Sequence, residues 1–507
     1  MGRNDAVDDP DRLVSAGFDG VVRVWSIRDR EITGSFDLGR PLTTISATGE
    51  RDIYLVLSTD YELYRIDLRA KKILNTFYLT SDACLITDTL GNYMTTSYAF
   101  RNYGFTMNNS CYSLDQFDAI YNRPDKVLAS FGCVDTATLA LYRRIYAKRL
   151  EKIQPENVLG QLGRLPSMVI DNADLDTTCN CFVIAGSCHT AAGVVKEIRV
   201  RVNNVPLYDP GFLLAIKRQG RFSVRIPLEA GTNSIRLSIV DDQGRESLER
   251  IFQVEYPKPY VPDIYFVGLG SAVYQSHDPL PYVDNDVRSY GQALYSRQGS
   301  WFNKLWVDTL LNQELTVDHL DQVKSFLARA RVGDIAVIFY SGHGLLKDST
   351  YYLASYDMDF HKPEARGIPY ECLERLLDSI APRNRLLLIN ACAAGEYDRD
   401  NEVFQRMKTL FADLRPGNGA TIIGASASDK SALVSTTRPF SNFGDALQKA
   451  LAGEKDASGN VADRDGDGIV RVDELIAYLK DKVNELSHGQ QVLTIRRINP
   501  QEDFQVW

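Results

Sequence analysis

From residue 263 onward the chain alternates short, almost wholly apolar runs with longer amphipathic ones, and this alternation constrains the fold more than any other feature of the sequence. DIYFVGLG (263–270), KLWVDTLL, IAVIFYSGHG, RLLLINAC and ATIIGASAS read as strands. VDNDVRSYGQALYSRQ, VDHLDQVKSFLARARVGD, YECLERLLDSI, EVFQRMKTLFADL and NFGDALQKALAG read as helices. A strand that is apolar on both faces must be covered on both. The pattern therefore predicts an α/β domain over 263–507, a mostly parallel sheet with helices on each side. Ligands of such sheets bind beyond the carboxyl ends of the strands.

Two strands end in chemically distinctive residues. Tyr340-Ser341-Gly342-His343-Gly344 follows IAVIF, and Asn390-Ala391-Cys392-Ala393-Ala394-Gly395 follows LLLI. If the strands are neighbours, His343 and Cys392 emerge at one edge although they are 49 residues apart. A free thiol has a pKa of about 8.5, so an adjacent imidazole is needed to raise its thiolate fraction or to take its proton during attack. The small residues around both groups let a substrate backbone approach. The backbone N–H groups of Gly344 and Cys392 are candidates to stabilise an oxyanion.

The two motifs together, with the histidine upstream on the earlier strand, resemble the caspase-like cysteine peptidases, the metacaspases in particular. The resemblance covers roughly residues 263–490. It implies a cysteine endopeptidase, a hydrolase of protein substrates, with His343 as general base and acid, Cys392 as nucleophile, and no metal at the chemical step. It also implies a substrate pocket. In metacaspases an acidic residue on the first helix and an Asp two before the nucleophile hold a basic P1 side chain. Asp286 matches the first position, Ser341 matches a further pocket residue, and Asn390 departs from the second. One carboxylate and one amide still favour Arg or Lys at P1. Ser426 and Ser428 fall where the family shapes its substrate groove, with core or turn roles equally open. The acidic stretch after the nucleophile offers Arg399 and Arg406 as self-cleavage sites. Similar domains in bacteria are joined to WD-repeat and β-sandwich modules, an architecture associated with signalling or defence.

The rest of the chain reads as mostly β. Phe18–Phe36 aligns with Thr59–Phe77 at an offset of 41, with Trp25 on Ile66, Ile32 on Ile73 and Phe36 on Phe77. This period resembles WD-repeat blades, so residues 1–110 are expected to be part of a propeller. Residues 111–160 read as a helical connector. Residues 165–257 show period-two patterning with regular turns, as in an immunoglobulin-like β-sandwich. The Pro-rich YPKPYVP (256–262) reads as a linker. Cys179, Cys181, Cys188 and His189 surround a strand-like FVIAG in a spacing that is not a common zinc pattern, and sandwich core is the preferred reading. The expected whole is a multidomain protein: propeller-like blades, sandwich, then caspase-like α/β domain.

Asp463 to Glu474 (DRDGDGIVRVDE) fits a twelve-residue EF-hand loop, with Asp463, Asp465 and Asp467 at positions 1, 3 and 5, the carbonyl of Ile469 at 7 and Glu474 at 12. Ca2+ is the cofactor this implies. Against it, no helix directly precedes the loop, and the loop is single; an acidic turn capping a helix remains open.

Composition excludes other classes. The net charge of −9 argues against nucleic-acid partners. The absence of an apolar run of about 18 residues argues against a membrane span. MGRNDAVDDPDR lacks a signal core, and eight unevenly spread cysteines do not form a disulfide framework, so a cytoplasmic location is expected. The propeller and sandwich are expected to receive substrate, a regulatory protein or an upstream protease. Two rivals stay open: a catalytically silent caspase-like scaffold, and a calcium-responsive binding module.

Overall fold

The computed structural model describes residues 11–507 apart from 81–83, 96–102, 108, 154–164, 191–193, 204, 208–219, 258–259, 281, 348–349, 394–418, 428–437 and 497–502. The chain divides into two compact units, Met1–Gly160 and Gln161–Trp507.

In the first unit Arg12–Ala16, Val21–Ser26 and Glu31–Asp37 form a three-stranded sheet, and the strands from Leu42–Ala47 to Tyr93–Thr95 form a six-stranded antiparallel one. The offset of 41 is written in the backbone. The hairpins Val21–Asp37 and Glu62–Leu79 each slip register at the equivalent place, between Val24 and Trp25 and between Arg65 and Ile66. Their turns place Arg30 and Lys71 at φ 57° and 51°. The two hairpins thus share a register slip and a turn, but their inward residues in the shared core, Val22 and Val24 in the first and Tyr64 and Ile66 in the second, fall one position out of step with that offset. Helices Pro124–Ala129 and Thr136–Ile153 follow.

The second unit begins with two facing sheets. Ser167–Asp176, Cys181–His189 and Arg221–Pro227 form one; Val205–Leu207, Val195–Val202, Gly231–Asp241 and Arg250–Tyr256 form the other. Alternate residues of both, among them Ile184, Val224, Val200 and Leu237, fill one core. Cys188 belongs to that core, and its thiol donates to the Gly220 carbonyl at 2.8 Å. Burial pushes the Cys181 thiol up to about 12.

The α/β domain follows. Its principal strands are β1 (Ile264–Gly270), β2 (Leu305–Leu311), β3 (Ile335–Lys347), β4 (Asn384–Ala393), β5 (Thr421–Ala427) and β6 (Gln491–Arg496), in the order β2-β1-β3-β4-β5-β6. All neighbours are parallel except β5 and β6. Helices α1 (Val283–Ser296), α4 (Asn442–Leu451) and α5 (Val472–Leu486) cover one face. Helices α2 (Leu320–Leu327) and α3 (Tyr370–Asp378) cover the other. Along β1, Ile264 and Phe266 enter the first core while Tyr265, Val267 and Leu269 enter the second, which is why the strand is apolar at every position. The expected helix EVFQRMKTLFADL lies outside the described residues.

The strands hold their motifs, as the runs IAVIFYSGHG and RLLLINAC imply, and extend past them. β3 runs through Tyr340–Gly344 to Lys347, and β4 runs through Cys392 to Ala393. Each motif is the other's partner, from Ser341 with Asn390 to Gly344 with Ala393. Small residues do not end a ladder when the facing strand continues to satisfy their backbone groups.

The sandwich is seated at the opposite, amino-terminal edge of the sheet. Arg383, just before β4, donates to Asn233 Oδ1 at 3.1 Å and to the Pro227 carbonyl, with Glu229 Oε1 at 3.8 Å.

Candidate active site

His343 and Cys392 are cross-strand Cα partners at the carboxyl edge of the sheet. Neighbouring strands run about 4.8 Å apart, so two separate apolar strands deliver these residues to one level. The Cys392 side chain lies outside the described atoms. His343 is held on every side. Its N–H donates to Tyr274 Oη at 3.1 Å, and its carbonyl accepts from Tyr340 Oη at 2.7 Å and from Ala354 N at 2.9 Å. Ring atom Nε2 lies 3.1 Å from the Asp278 carbonyl oxygen. A carbonyl only accepts, so the proton of the neutral ring sits on Nε2 and the basic lone pair on Nδ1. Gly344, the oxyanion candidate on β3, is the Cα partner of Ala393, next to Cys392.

The three expected pocket residues come together. Asp286, in the first turn of α1, is 1% exposed, and Ser341 and Asn390 are 0% and 2% exposed. Asp286 Oδ2 accepts from Ser341 Oγ at 3.0 Å and from Asn390 Nδ2 at 3.3 Å, and Asn390 Nδ2 also donates to Ser341 Oγ at 3.2 Å. Two further residues join that the sequence did not point to. Ser441 N donates to Asp286 Oδ1 at 3.0 Å, and the Gln491 amide reaches Asn390 Oδ1 at 3.5 Å. Ser441 caps α4, its hydroxyl accepting from Gly444 N at 2.8 Å. A Cβ at position 444 would fall 2.1 Å from Asp286 Oδ1, so only glycine lets the start of α4 approach this carboxyl.

Two helix amino-termini and three hydrogen-bond donors thus converge on Asp286, each favouring the anion. Complete burial outweighs them and pushes its pKa up to about 7. Ser441 had a local signal as a helix cap in SNFGD, but nothing local tied it to a residue 155 positions earlier. Ser428, Arg399 and Arg406 lie outside the described residues, as does the side chain of Ser426.

The acidic loop has EF-hand character in part. Carboxylate oxygens of Asp463, Asp465 and Asp467 lie within 4.8 Å of one another, and Gly468 takes φ 83° at the sharp turn. Oxygens bound at about 2.3–2.6 Å to one Ca2+ fit that spread. Glu474 is turned instead to backbone N–H groups, of Arg464 at 2.8 Å and Arg471 at 3.0 Å. Arg471 Nη1 lies 2.7 Å from Asp467 Oδ2 and lowers that carboxyl's pKa. The loop is single but not unpaired. Val470 N donates to the Trp507 carbonyl at 2.7 Å, and Val506 N donates to the Val470 carbonyl at 2.9 Å.

Comparison with known proteins bears on the C-terminal domain. The family model of the caspase domain matches residues 269–505. The C-terminal part of the chain is therefore caspase-like, and the match supports a cysteine peptidase of that family. No curated protein matches the chain. Among solved structures, protein GSU0716 from Geobacter sulfurreducens is similar at 15% identity over 46% of this chain and 93% of that one, with a TM-score of 0.31. No helix among the described residues is long and apolar enough to cross a membrane.

Proposed function

We propose that this protein is a cysteine endopeptidase that cleaves after Arg or Lys with a His343–Cys392 dyad. The observation that carries this reading is the cross-strand pairing of the two residues at the carboxyl edge of a caspase-like sheet. His343 Nδ1 takes the thiol proton as sulfur attacks the scissile carbonyl carbon, then gives it to the departing amine. Water hydrolyses the resulting thioester and restores the thiol. The N–H groups of Gly344 and Cys392 stabilise the oxyanion. Asp286, supported by Ser341 and Asn390, receives the basic P1 side chain.

The N-terminal sheets, read as propeller-like, and the immunoglobulin-like sandwich recruit substrate or a regulator. Such a role suits cytoplasmic signalling or defence. Ca2+ is held by Asp463, Asp465, Asp467, the Ile469 carbonyl and Glu474, once Arg471 yields its place.

Iodoacetamide at neutral pH tests the dyad. Cys392 is expected to alkylate ahead of the other seven thiols, and His343→Ala is expected to remove that preference. Equal labelling of all eight in the wild type contradicts it.

A further inference from the structure

His343 is 0% exposed, which is unexpected for a base that must meet a peptide. Three described rings lie against it. Its centroid is 4.9 Å from that of Tyr274, 4.7 Å from that of His277 and 5.7 Å from that of Phe360. These rings do different things. The Tyr274 hydroxyl accepts from the His343 N–H, and the adjacent Asp278 carbonyl holds Nε2, so both orient the imidazole. His277 and Phe360 stack on each other at 3.9 Å and 24°, and both meet His343 edge-on, at 73° and 86°.

We propose that the stacked pair His277–Phe360 is a gate that covers His343 in the resting protein and lifts to admit substrate. The two rings come from separate segments, one following β1 and one following the short strand Thr350–Leu353. Among the described residues hydrogen bonds join the segments here: Gln275 N donates to the Tyr356 carbonyl at 3.0 Å, and Ser276 Oγ donates to the Met358 carbonyl at 3.1 Å. The first segment is pinned at its base, Leu280 N donating to the Ala272 carbonyl and Ala272 N donating to Asn312 Oδ1, both at 2.8 Å. The His277 ring can therefore swing aside while the Asp278 carbonyl stays on Nε2 and the segment's ends stay on the sheet. Phe360 also meets Tyr274 edge-on at 6.0 Å and 82°. Ring contacts between surface segments are a weak closure beside a packed core, so opening is a local event that leaves the fold intact. The consequence for turnover rests on the peptidase reading; the access of reagents to His343 does not.

Carbethoxylation by diethyl pyrocarbonate, mapped residue by residue by mass spectrometry, reads that access. His319, His361 and His488 are exposed and serve as internal standards. In the wild type His343 is expected to react at least about tenfold more slowly than these. Phe360→Ala and His277→Ala are each expected to raise its rate about tenfold, with Phe360→Leu in between and the standards unmoved. Wild-type His343 reacting as fast as the standards overturns the gate. So does a rate unchanged by the alanine variants when their melting temperatures match the wild type. A variant that melts early is replaced in the comparison by Phe360→Leu, for which an unmoved rate is equally contrary. Exposure of His343 with no peptide hydrolysis in any variant upholds the gate and counts against the peptidase reading alone.

Discussion

Asp286 is withdrawn from water completely, yet stays beside donors that favour its charge, and this conflict makes it the most informative single residue. Between its ordinary value of 3.8 and about 7, the folded chain binds a proton there that the unfolded chain has released. Stability therefore falls as pH rises through that window, by at most about 4 kcal/mol. Asp286→Asn is expected to remove this slope, so urea denaturation at pH 4.5 and pH 8 should show the variant gaining on the wild type at the higher pH. A cation in the pocket favours the carboxylate, so KM for Arg and Lys substrates is expected to fall as pH rises through 7. Asn390→Asp puts a second carboxyl where an amide now donates to Asp286 at 3.3 Å; the pair then shares one proton near neutrality, and that KM profile should move to higher pH. Asp286, Ser341 and Asn390 were legible because each sits in or beside a motif tied to a strand end or helix start. Ser441, Gln491, Tyr274, His277 and Phe360 were not. Each comes from a loop, cap or strand end whose local pattern says nothing of what it will face after folding.

Elements were legible where burial dictates pattern. The buried strands of the α/β domain followed from near-continuous apolar runs, and its amphipathic helices from a period of 3.6. The far end of β3 did not, because pairing with the strand Thr350–Leu353, invisible to local pattern, carries it on to Lys347. The acidic loop shows the same limit. Its donors were legible, but not that the segment ending in Val506 and Trp507 would run beside Val470 and take the part of a second loop. Arg471 was equally unforeseen as a cation already resting on Asp467 and within 4.0 Å of Asp465. Arg471→Gln removes that competitor and is expected to tighten Ca2+ binding several-fold, while Asp463→Ala abolishes it, both measured by isothermal titration calorimetry. Heat absent from the wild type and from Arg471→Gln alike contradicts the calcium reading.

At the scale of the molecule, the sandwich and the peptidase-like sheet meet through a charge. Arg383 is buried at the root of β4, the strand that carries Cys392, and its bonds go to the sandwich. Burial raises the pKa of Glu229 beside it, and the guanidinium opposes that rise. Arg383→Ala takes the guanidinium from these buried acceptors, of which Asn233 Oδ1 keeps the Glu229 N–H at 2.9 Å. It is expected to cost about 3–5 kcal/mol in chemical denaturation, and to loosen the sandwich from the sheet as read by hydrogen exchange at Pro227–Asn233. An unchanged midpoint would mean that the two parts are independent. The central claim, that His343 and Cys392 act together beside a pocket for a basic side chain, is tested most directly by a P1 scan of fluorogenic peptides on the wild type, Cys392→Ala and Asp286→Asn. Hydrolysis after Arg and Lys, lost by at least about a thousandfold in Cys392→Ala and strongly reduced in Asp286→Asn, is the predicted result. Equal hydrolysis by wild type and Cys392→Ala, or a preference for Asp at P1, would contradict it.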